Sequence, residues 1–179
     1  YRVNLIDHDG KRMWLAPGNI GPEQTAASSA DVDADGRPEV LVGTDGGDLY
    51  CYDGDGSQLW GANLGDKVTR VIPVDLTGDA KPELACTAES ANVYALNADG
   101  TVLWRTALPD GASDLAVQGS GTDARLLAAA GSAGLAVLDG QGRLIGIGAT
   151  DGRAKAVAAA GGLAIASTST GKVEAVEVR

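Results

Sequence analysis

The strongest constraint on the fold is a repeat of about 44 residues that runs through nearly the whole chain. One series of segments combines a short turn with an apolar ending: DHDGKRMW from residue 7, DGDGSQLW from 53, NADGTVLW from 97 and DGQGRLIG from 139. A second series lies between them: DVDADGRPEVLV from residue 31, DLTGDAKPELAC from 75 and GSGTDARLLAAA from 119. Two series that keep one phase at one period indicate a chain built from repeated structural units.

Each repeat divides into four short segments with the residue pattern of β-strands. The repeat that begins near residue 64 contains NVYALN at 92–97, in which apolar side chains occupy both alternating sets of positions. Successive side chains of a strand point to opposite faces, so Val93 and Ala95 are predicted to face one side and Tyr94 and Leu96 the other.

One alanine-rich segment could be mistaken for a helix. AVAAAGGLAIA at 156–166 has a composition that favours helix. The paired Gly161 and Gly162 fall where the repeat has a turn, and glycine tolerates the backbone angles of tight turns. We therefore predict two strands here and few helices anywhere in the chain.

Four strands in a repeat of about 44 residues are typical of the blade of a β-propeller. The predicted fold is all-β, with three full blades of four antiparallel strands at about 20–63, 64–108 and 109–150. Partial blades are predicted at both ends, at about 1–19 and 151–179, so that 1–179 forms one propeller domain or a propeller fragment. We expect the ring to be completed by residues upstream of Tyr1 or by another chain; the alternative is a self-closed four-bladed ring.

Composition excludes some partners. The net charge is −10 and the pI about 4.4, which disfavours nucleic acid and anionic membrane surfaces because both need a basic protein face. No apolar run is long enough for a membrane-spanning helix. Cys51 and Cys86 both lie in apolar strand-like runs and are predicted to be small buried residues, with a disulfide as the alternative.

The two series resemble the repeats of known propeller families. DVDADGRPEVLVGT is similar to the FG-GAP or VCBS repeat, whose D-x-D-x-D-G loop binds calcium between the first two strands of a blade. LYCYDGDGSQLW and VYALNADGTVLW resemble the last hairpin of quinoprotein-like (PQQ-type) propeller repeats, in which the tryptophan packs between blades. The resemblance implies a propeller fold and, at residues 31–39, a calcium site. It implies little about function, because such repeats serve many functions.

The first loop carries the donors that calcium prefers. Calcium takes six to eight oxygen ligands on a backbone that turns tightly. The predicted ligands are the side chains of Asp31, Asp33, Asp35 and Glu39 with the backbone carbonyl of Arg37, and Gly36 permits the sharp turn. The alternative is an acidic turn in solvent, but four carboxylates within nine residues repel one another unless a cation neutralises them.

The second loop repeats the first but lacks some of its calcium-binding features. Its corresponding positions are Asp75, Thr77, Asp79, Lys81 and Glu83. Thr77 replaces one carboxylate, and Ala80 stands where the first loop has glycine, so weaker calcium binding or a plain hydrogen-bonded turn is expected. The third copy retains only Asp123, and no metal is predicted there.

The remaining chemistry-bearing residues point to structure. His8 is the only histidine and lies in a turn, and the sequence has no G-x-S-x-G or H-E-x-x-H motif. Trp14, Trp60 and Trp104 recur at one repeat position, which indicates packing between blades, with a sugar-stacking platform as the alternative. The turns DHDG, DGDG and NADG lack a carboxylate at the ninth position and are predicted to be plain hairpin turns.

These observations predict a non-catalytic, calcium-stabilised propeller scaffold or binding module of a secreted bacterial protein, extracellular or periplasmic. Its ligand is expected to be a protein or a carbohydrate, without nucleic-acid binding or membrane insertion. Two alternatives remain: part of a propeller-type polysaccharide lyase that resembles rhamnogalacturonan lyase, and a quinoprotein-like assembly factor that needs no metal.

Overall fold

The computed structural model describes residues 2–16 and 23–177, and these form 17 short strands with a single 3₁₀ turn at Gly121–Asp123. The strands are β1 (Asn4–Ile6), β2 (Arg12–Leu15), β3 (Gln24–Ala30), β4 (Glu39–Thr44), β5 (Asp48–Tyr52), β6 (Gln58–Asn63), β7 (Val68–Val74), β8 (Glu83–Ala88), β9 (Asn92–Leu96), β10 (Val102–Ala107), β11 (Leu115–Gln118), β12 (Arg125–Ala129), β13 (Leu135–Asp139), β14 (Leu144–Gly148), β15 (Ala154–Ala160), β16 (Leu163–Thr168) and β17 (Val173–Glu177). No helix within these residues is long and apolar enough to cross a membrane.

The strands form five antiparallel sheets in which each strand pairs with its neighbours in sequence. Sheet 1 is β1–β2, sheet 2 is β3–β6, sheet 3 is β7–β10, sheet 4 is β11–β14 and sheet 5 is β15–β17. The predicted fold class, a propeller of four-stranded antiparallel blades with partial blades at both ends, is confirmed. The alanine-rich segment forms β15 and β16, and the turn between them has positive φ at Gly161 and Gly162.

The core consists of apolar layers between consecutive sheets. In β9, Val93 and Ala95 pack in the layer shared with sheet 4, whereas Tyr94 and Leu96 pack in the layer shared with sheet 2. The predicted division of these side chains between two faces is therefore correct, and both faces are buried. Sheet 3 is buried on both sides, which explains why β8 has no exposed position.

Neighbouring sheets are joined by hydrogen bonds near the start of their first strands. A hydroxyl side chain of one sheet donates to a backbone carbonyl of the next: Thr25 to Val68 at 2.5 Å, Thr69 to Ala112 at 2.9 Å and Ser113 to Lys155 at 2.9 Å. The donors recur every 44 residues. Each bond gives a backbone carbonyl of one sheet a partner from the sheet that precedes it.

Tryptophan joins the sheets at their outer strands. The indole Nε1 of one sheet donates to a carbonyl in the last hairpin turn of the next: Trp14 to Gly54 at 3.0 Å, Trp60 to Ala98 at 2.8 Å and Trp104 to Gly140 at 3.1 Å. Each ring also lies against the turn glycine, Gly56, Gly100 or Gly142, so closely that a Cβ there would come within 2.8 Å of it. The prediction that these tryptophans pack between blades is confirmed.

The terminal sheets have unpaired edges within the described residues. β17 pairs with β16 alone, β1 pairs with β2 alone, and β1 and β17 do not pair with each other. Ring closure by pairing of the N-terminal hairpin with the final strands is therefore not seen in residues 2–16 and 23–177. The predicted boundary between the first partial blade, at about 1–19, and the first full blade, at about 20–63, lies outside the described residues.

We predict that a methyl group added to a turn beneath a tryptophan ring will destabilise the fold more than one added to a turn with open space around it. Gly100 has φ +83°, and a Cβ there would lie 2.6 Å from the ring of Trp60. Gly65 has φ +88° and no neighbour within 4 Å. Gly65→Ala should lower the free energy of unfolding by about 1 kcal/mol through backbone strain. Gly100→Ala should lower it by about 1–3 kcal/mol more, because the added methyl group overpacks the contact with the indole.

The measurement is urea unfolding of the two variants and the parent chain. Equal losses in free energy of unfolding would show that the indole does not press on this turn.

Candidate metal centre

The loop at residues 31–38 joins β3 to β4 and is folded by its own aspartates. Asp31 accepts hydrogen bonds from the backbone amides of Asp35 at 3.1 Å and Gly36 at 3.0 Å. Asp33 accepts one from the amide of Asp35 at 3.0 Å. Positive φ at Ala34 (66°) and Gly36 (87°) turns the chain so that these amides point inward. The carboxylates of Asp31 and Asp33 therefore converge on one side of the loop.

Three of the four predicted carboxylates come together. Asp31, Asp33 and Glu39 each offer an oxygen, and these three oxygens all lie within 4.8 Å of one another. Two oxygens that each lie about 2.4 Å from one calcium ion are at most about 5 Å apart. The separation therefore suits a shared calcium ion. Residues 2–16 and 23–177 contain no other group of three such ligands.

Glu39 is the buried member of the group. Its side chain has no solvent exposure, and its Oε2 accepts hydrogen bonds from the amides of Val32 at 2.7 Å and Asp33 at 3.4 Å. Its Oε1 has no hydrogen-bond partner. Burial raises the pKa of this carboxyl group, and the charge of Asp33 adds to the effect. A buried carboxylate oxygen without a partner is costly, and a bound divalent cation would provide the missing partner.

Asp35 and Arg37 form an ion pair outside this group. The Nε and Nη2 atoms of Arg37 donate to Asp35 Oδ2 at 3.0 and 2.7 Å, and the Arg37 amide donates to Oδ1 at 2.8 Å. These bonds lower the pKa of the Asp35 carboxyl group. The structure therefore separates Asp35 from Asp31, Asp33 and Glu39, and the Arg37 carbonyl remains a predicted ligand.

The second loop has the same shape but satisfies its own polar groups. Asp75 accepts hydrogen bonds from the amides of Thr77 at 3.1 Å, Gly78 at 2.6 Å and Ala80 at 3.1 Å. Asp79 accepts one from the amide of Lys81 at 2.9 Å. The buried Glu83 resembles Glu39, except that the hydroxyl of Thr77 donates to its Oε1 at 3.4 Å. A threonine thus supplies the partner that Glu39 Oε1 lacks.

Sequence reasoning missed one property of these loops. Each loop needs positive φ at two positions, the fourth and the sixth, and each places glycine at only one of them. The first loop has Ala34 and Gly36, with φ 66° and 87°, and the second has Gly78 and Ala80, with φ 87° and 67°. An alignment of the two loops carries the signal, because glycine and alanine exchange places between them. Ala80, which stands where the first loop has glycine, has the positive φ that the glycine has there.

Other candidate residues are structural. His8 is exposed and lies 3.4 Å from Asp9. Cys51 and Cys86 are free and buried, in the apolar layer between sheets 2 and 3. Burial, with the nearby charges of Glu39, Asp33 and Asp53, raises the pKa of the Cys51 thiol to about 12. Both thiols are therefore protonated near neutral pH, because burial raises the pKa of Cys86 as well.

The comparisons with known proteins identify the family. Residues 1–171 match the family described as outer membrane protein assembly factor BamB, so the chain belongs to that family of propeller proteins. The match supports the quinoprotein-like part of the sequence resemblance. The FG-GAP or VCBS part, with its calcium loop, stays a prediction. No curated protein matches the chain significantly.

Solved structures show the same fold at low sequence identity. Sqt1 of Saccharomyces cerevisiae is 13% identical with a TM-score of 0.81, and the match covers 99% of this chain and 52% of Sqt1. BBS1N, solved in complex with ARL6DN, is 16% identical with a TM-score of 0.71, covering 99% and 64%. BamB of Moraxella catarrhalis is 17% identical with a TM-score of 0.66, covering 94% and 50%. The chain thus spans half to two thirds of these relatives.

We predict that Thr77→Asp will give the second loop a calcium site. The change removes the hydroxyl donor from Glu83 Oε1 and restores the carboxylate that the first loop has at Asp33. Because the two loops share their positive-φ positions, the new carboxylate should join Asp75 and Glu83. Calorimetric titration should show one more bound calcium ion per chain than the parent binds.

Thr77→Ser is the matched control, because it keeps the hydroxyl donor and should leave the stoichiometry unchanged. An unchanged stoichiometry in Thr77→Asp would show that the third carboxylate is not what separates the two loops.

Proposed function

We propose that this chain is a propeller scaffold that binds protein partners during outer membrane protein assembly and catalyses no reaction itself. The observation that carries the proposal is the family match over residues 1–171, whose description names an outer membrane protein assembly factor. The same description supports a periplasmic location for the chain, within the wider expectation of an extracellular or periplasmic protein.

The architecture supports binding rather than catalysis. The layers between the sheets are filled mainly by Ala, Val and Leu, and the tryptophans and cysteines pack in or against these layers. The clustered carboxylates lie in a strand connection, where their bonds hold the loop. BBS1N, which shares the fold, was solved in complex with a protein, ARL6DN. These features favour a protein ligand over a carbohydrate.

Within residues 2–16 and 23–177, β1 and β17 each have an unpaired edge, which supports completion of the ring by a further segment or another chain. An exposed edge strand offers a row of free amides and carbonyls, and propellers avoid this by closing the ring. A chain that spans about half of the Moraxella BamB chain is consistent with such completion.

The assembly role can be tested by complementation. The chain, exported to the periplasm of a bacterium that lacks BamB, should restore part of the outer membrane protein level, measured by quantitative immunoblotting. The same chain with Trp60→Ala and Trp104→Ala, which removes two of the tryptophan contacts, is the control and should restore none.

Normal export and folding without any restoration would contradict the assembly role. Turnover of a polysaccharide by the purified chain, lost on a single carboxylate substitution, would contradict the non-catalytic role and favour a lyase.

We further propose that the first loop binds one calcium ion as a structural element. The ligands would be the side chains of Asp31, Asp33, Asp35 and Glu39 with the Arg37 carbonyl. The unpartnered Oε1 of the fully buried Glu39 supports this proposal. The ion would hold the β3–β4 connection by neutralising carboxylates from both of its ends. Binding at the second loop would be weaker, because Thr77 already satisfies Glu83 there.

Calcium should raise the melting temperature of the chain, and EDTA should reverse the effect. A ligand that binds only the folded state at a hundred times its dissociation constant adds about 2.7 kcal/mol to the free energy of unfolding. Asp33→Ala should abolish most of the calcium effect. Asp99→Ala changes an aspartate in a hairpin turn, outside the cluster, and should keep it.

A melting temperature of the parent chain that does not change with calcium would contradict the proposed metal site. It would leave the assembly role intact.

A further inference from the structure

Asp35 and Arg37 sit at the edge of the candidate calcium site, and every oxygen of Asp35 is engaged by Arg37. The guanidinium donates two hydrogen bonds to Asp35 Oδ2, and the backbone amide of Arg37 donates one to Oδ1. Asp31, Asp33 and Glu39 already share one small region, whereas Asp35 is outside it. The residue that sequence spacing assigns to the metal is thus held by an internal cation.

We infer that Asp35 exchanges partners when calcium binds, leaving the guanidinium of Arg37 for the metal, so that Arg37 sets the calcium affinity of the loop. This inference rests on the proposed calcium site. It is independent of the proposed role in outer membrane protein assembly.

The geometry makes the exchange local. Arg37 is two residues from Asp35 and its side chain is largely exposed, with 60% of its surface accessible. Release therefore requires no repacking of the core, and water can solvate the freed guanidinium. The Nη2 atom of Arg37 also lies 3.7 Å from Asp53, in the hairpin turn of the same sheet. Asp53 can keep the guanidinium near the loop after Asp35 has left it.

The second observation at this site is the orphaned Glu39 Oε1, which is buried and lacks a hydrogen-bond donor. An arginine could not fill this position without burying its charge, which is expensive. A small divalent ion could, because it also contacts Asp31 and Asp33. The two cations thus have different places: calcium at the buried group of three carboxylates, Arg37 at the exposed outer oxygens of Asp35.

The second loop lacks this arrangement. Asp79 corresponds to Asp35 and Lys81 to Arg37. A lysine is a single point donor, whereas the two-donor fork of arginine matches a carboxylate. Only the loop with an unpartnered buried glutamate oxygen carries the arginine pair. This coincidence is expected if the pair regulates a functional site.

The experiment measures calcium affinity by titration calorimetry in 0.1 M salt for the parent chain, Arg37→Gln, Arg37→Lys, Asp35→Asn and the double variant. Arg37→Gln should bind calcium roughly two- to fivefold more tightly, the factor expected for removing an exposed ion pair. In the Asp35→Asn background the same change should have no effect, because the competition acts through Asp35. Lys67→Gln, which removes an exposed cation paired with Glu89, is the control and should leave the affinity unchanged.

Arg37→Lys separates competition from simple charge repulsion. Lysine keeps the charge and loses the fork, so competition predicts a higher affinity than the parent chain, whereas charge repulsion predicts an equal one. An Arg37→Gln effect of the same size in both Asp35 backgrounds, or no effect in either, would overturn the inference while leaving the calcium site in place. No calcium binding by the parent chain would overturn both.

Arg37 can also be observed directly. The ¹⁵N resonance of the Arg37 side-chain Nε should shift with calcium in the parent chain, at the midpoint measured by calorimetry. A resonance that stays unchanged through saturation would show that the ion pair persists beside the bound ion and would overturn the partner exchange.

Discussion

The indole of each outer-strand tryptophan, seated on the hairpin turn of the next sheet, is the contact that turns separate sheets into a propeller. The indole N–H donates to a carbonyl of that turn while the ring packs on the turn glycine. The same contact recurs at three successive interfaces. Sheet 4 has Gly146 at this position, so its contact with sheet 5 must be made elsewhere. Inner-strand and connecting residues make it, through the Arg153–Asp110 ion pair at 2.8 Å and the Val157 amide bonded to Asp114 at 3.0 Å. Where the tryptophan series ends, the described contacts between sheets 4 and 5 are therefore those of the inner strands, which the preceding interfaces have as well.

In both acidic loops a buried glutamate holds the connection between two strands, and the loops differ in what is available to satisfy its second oxygen. In each loop a buried glutamate at the start of the second strand accepts a hydrogen bond from the residue that follows the first aspartate, Val32 or Leu76. This bond ties the end of one strand to the start of the next. The remaining glutamate oxygen then needs a partner, because an unsatisfied buried acceptor costs about 1–3 kcal/mol. Thr77 provides one in the second loop, and a cation is the natural partner in the first. The carboxylates thus hold the strand connection through their own hydrogen bonds, independently of the proposed calcium ion.

The repeat period was sufficient to predict the fold, because a 44-residue unit with four strand patterns allows few architectures. Alternation in β9 was sufficient to predict which of its residues share a face. The site was predicted less completely. Spacing placed Asp35 among the ligands, but its carboxylate pairs with the side chain of Arg37, and the spacing of the aspartates carries no information about that ion pair. Likewise, Ala34 at φ 66° could be recognised only by comparing the two loops, since alanine by itself gives no sign of a left-handed backbone.

The acidic loop and the tryptophan contact are coupled at the interface of sheets 1 and 2. Arg37 approaches Asp53, and Asp53 begins the hairpin turn whose Gly54 carbonyl accepts the bond from Trp14. Arg37 and Pro38 also line a groove of about 290 Å³ with Leu5 and Met13 of sheet 1. The acidic loop of sheet 2 therefore lies beside the tryptophan contact that holds the first sheet to the second. Because the loop side chains form part of the surface that faces sheet 1, the conformation of this loop and the attachment of the terminal sheet depend on the same residues.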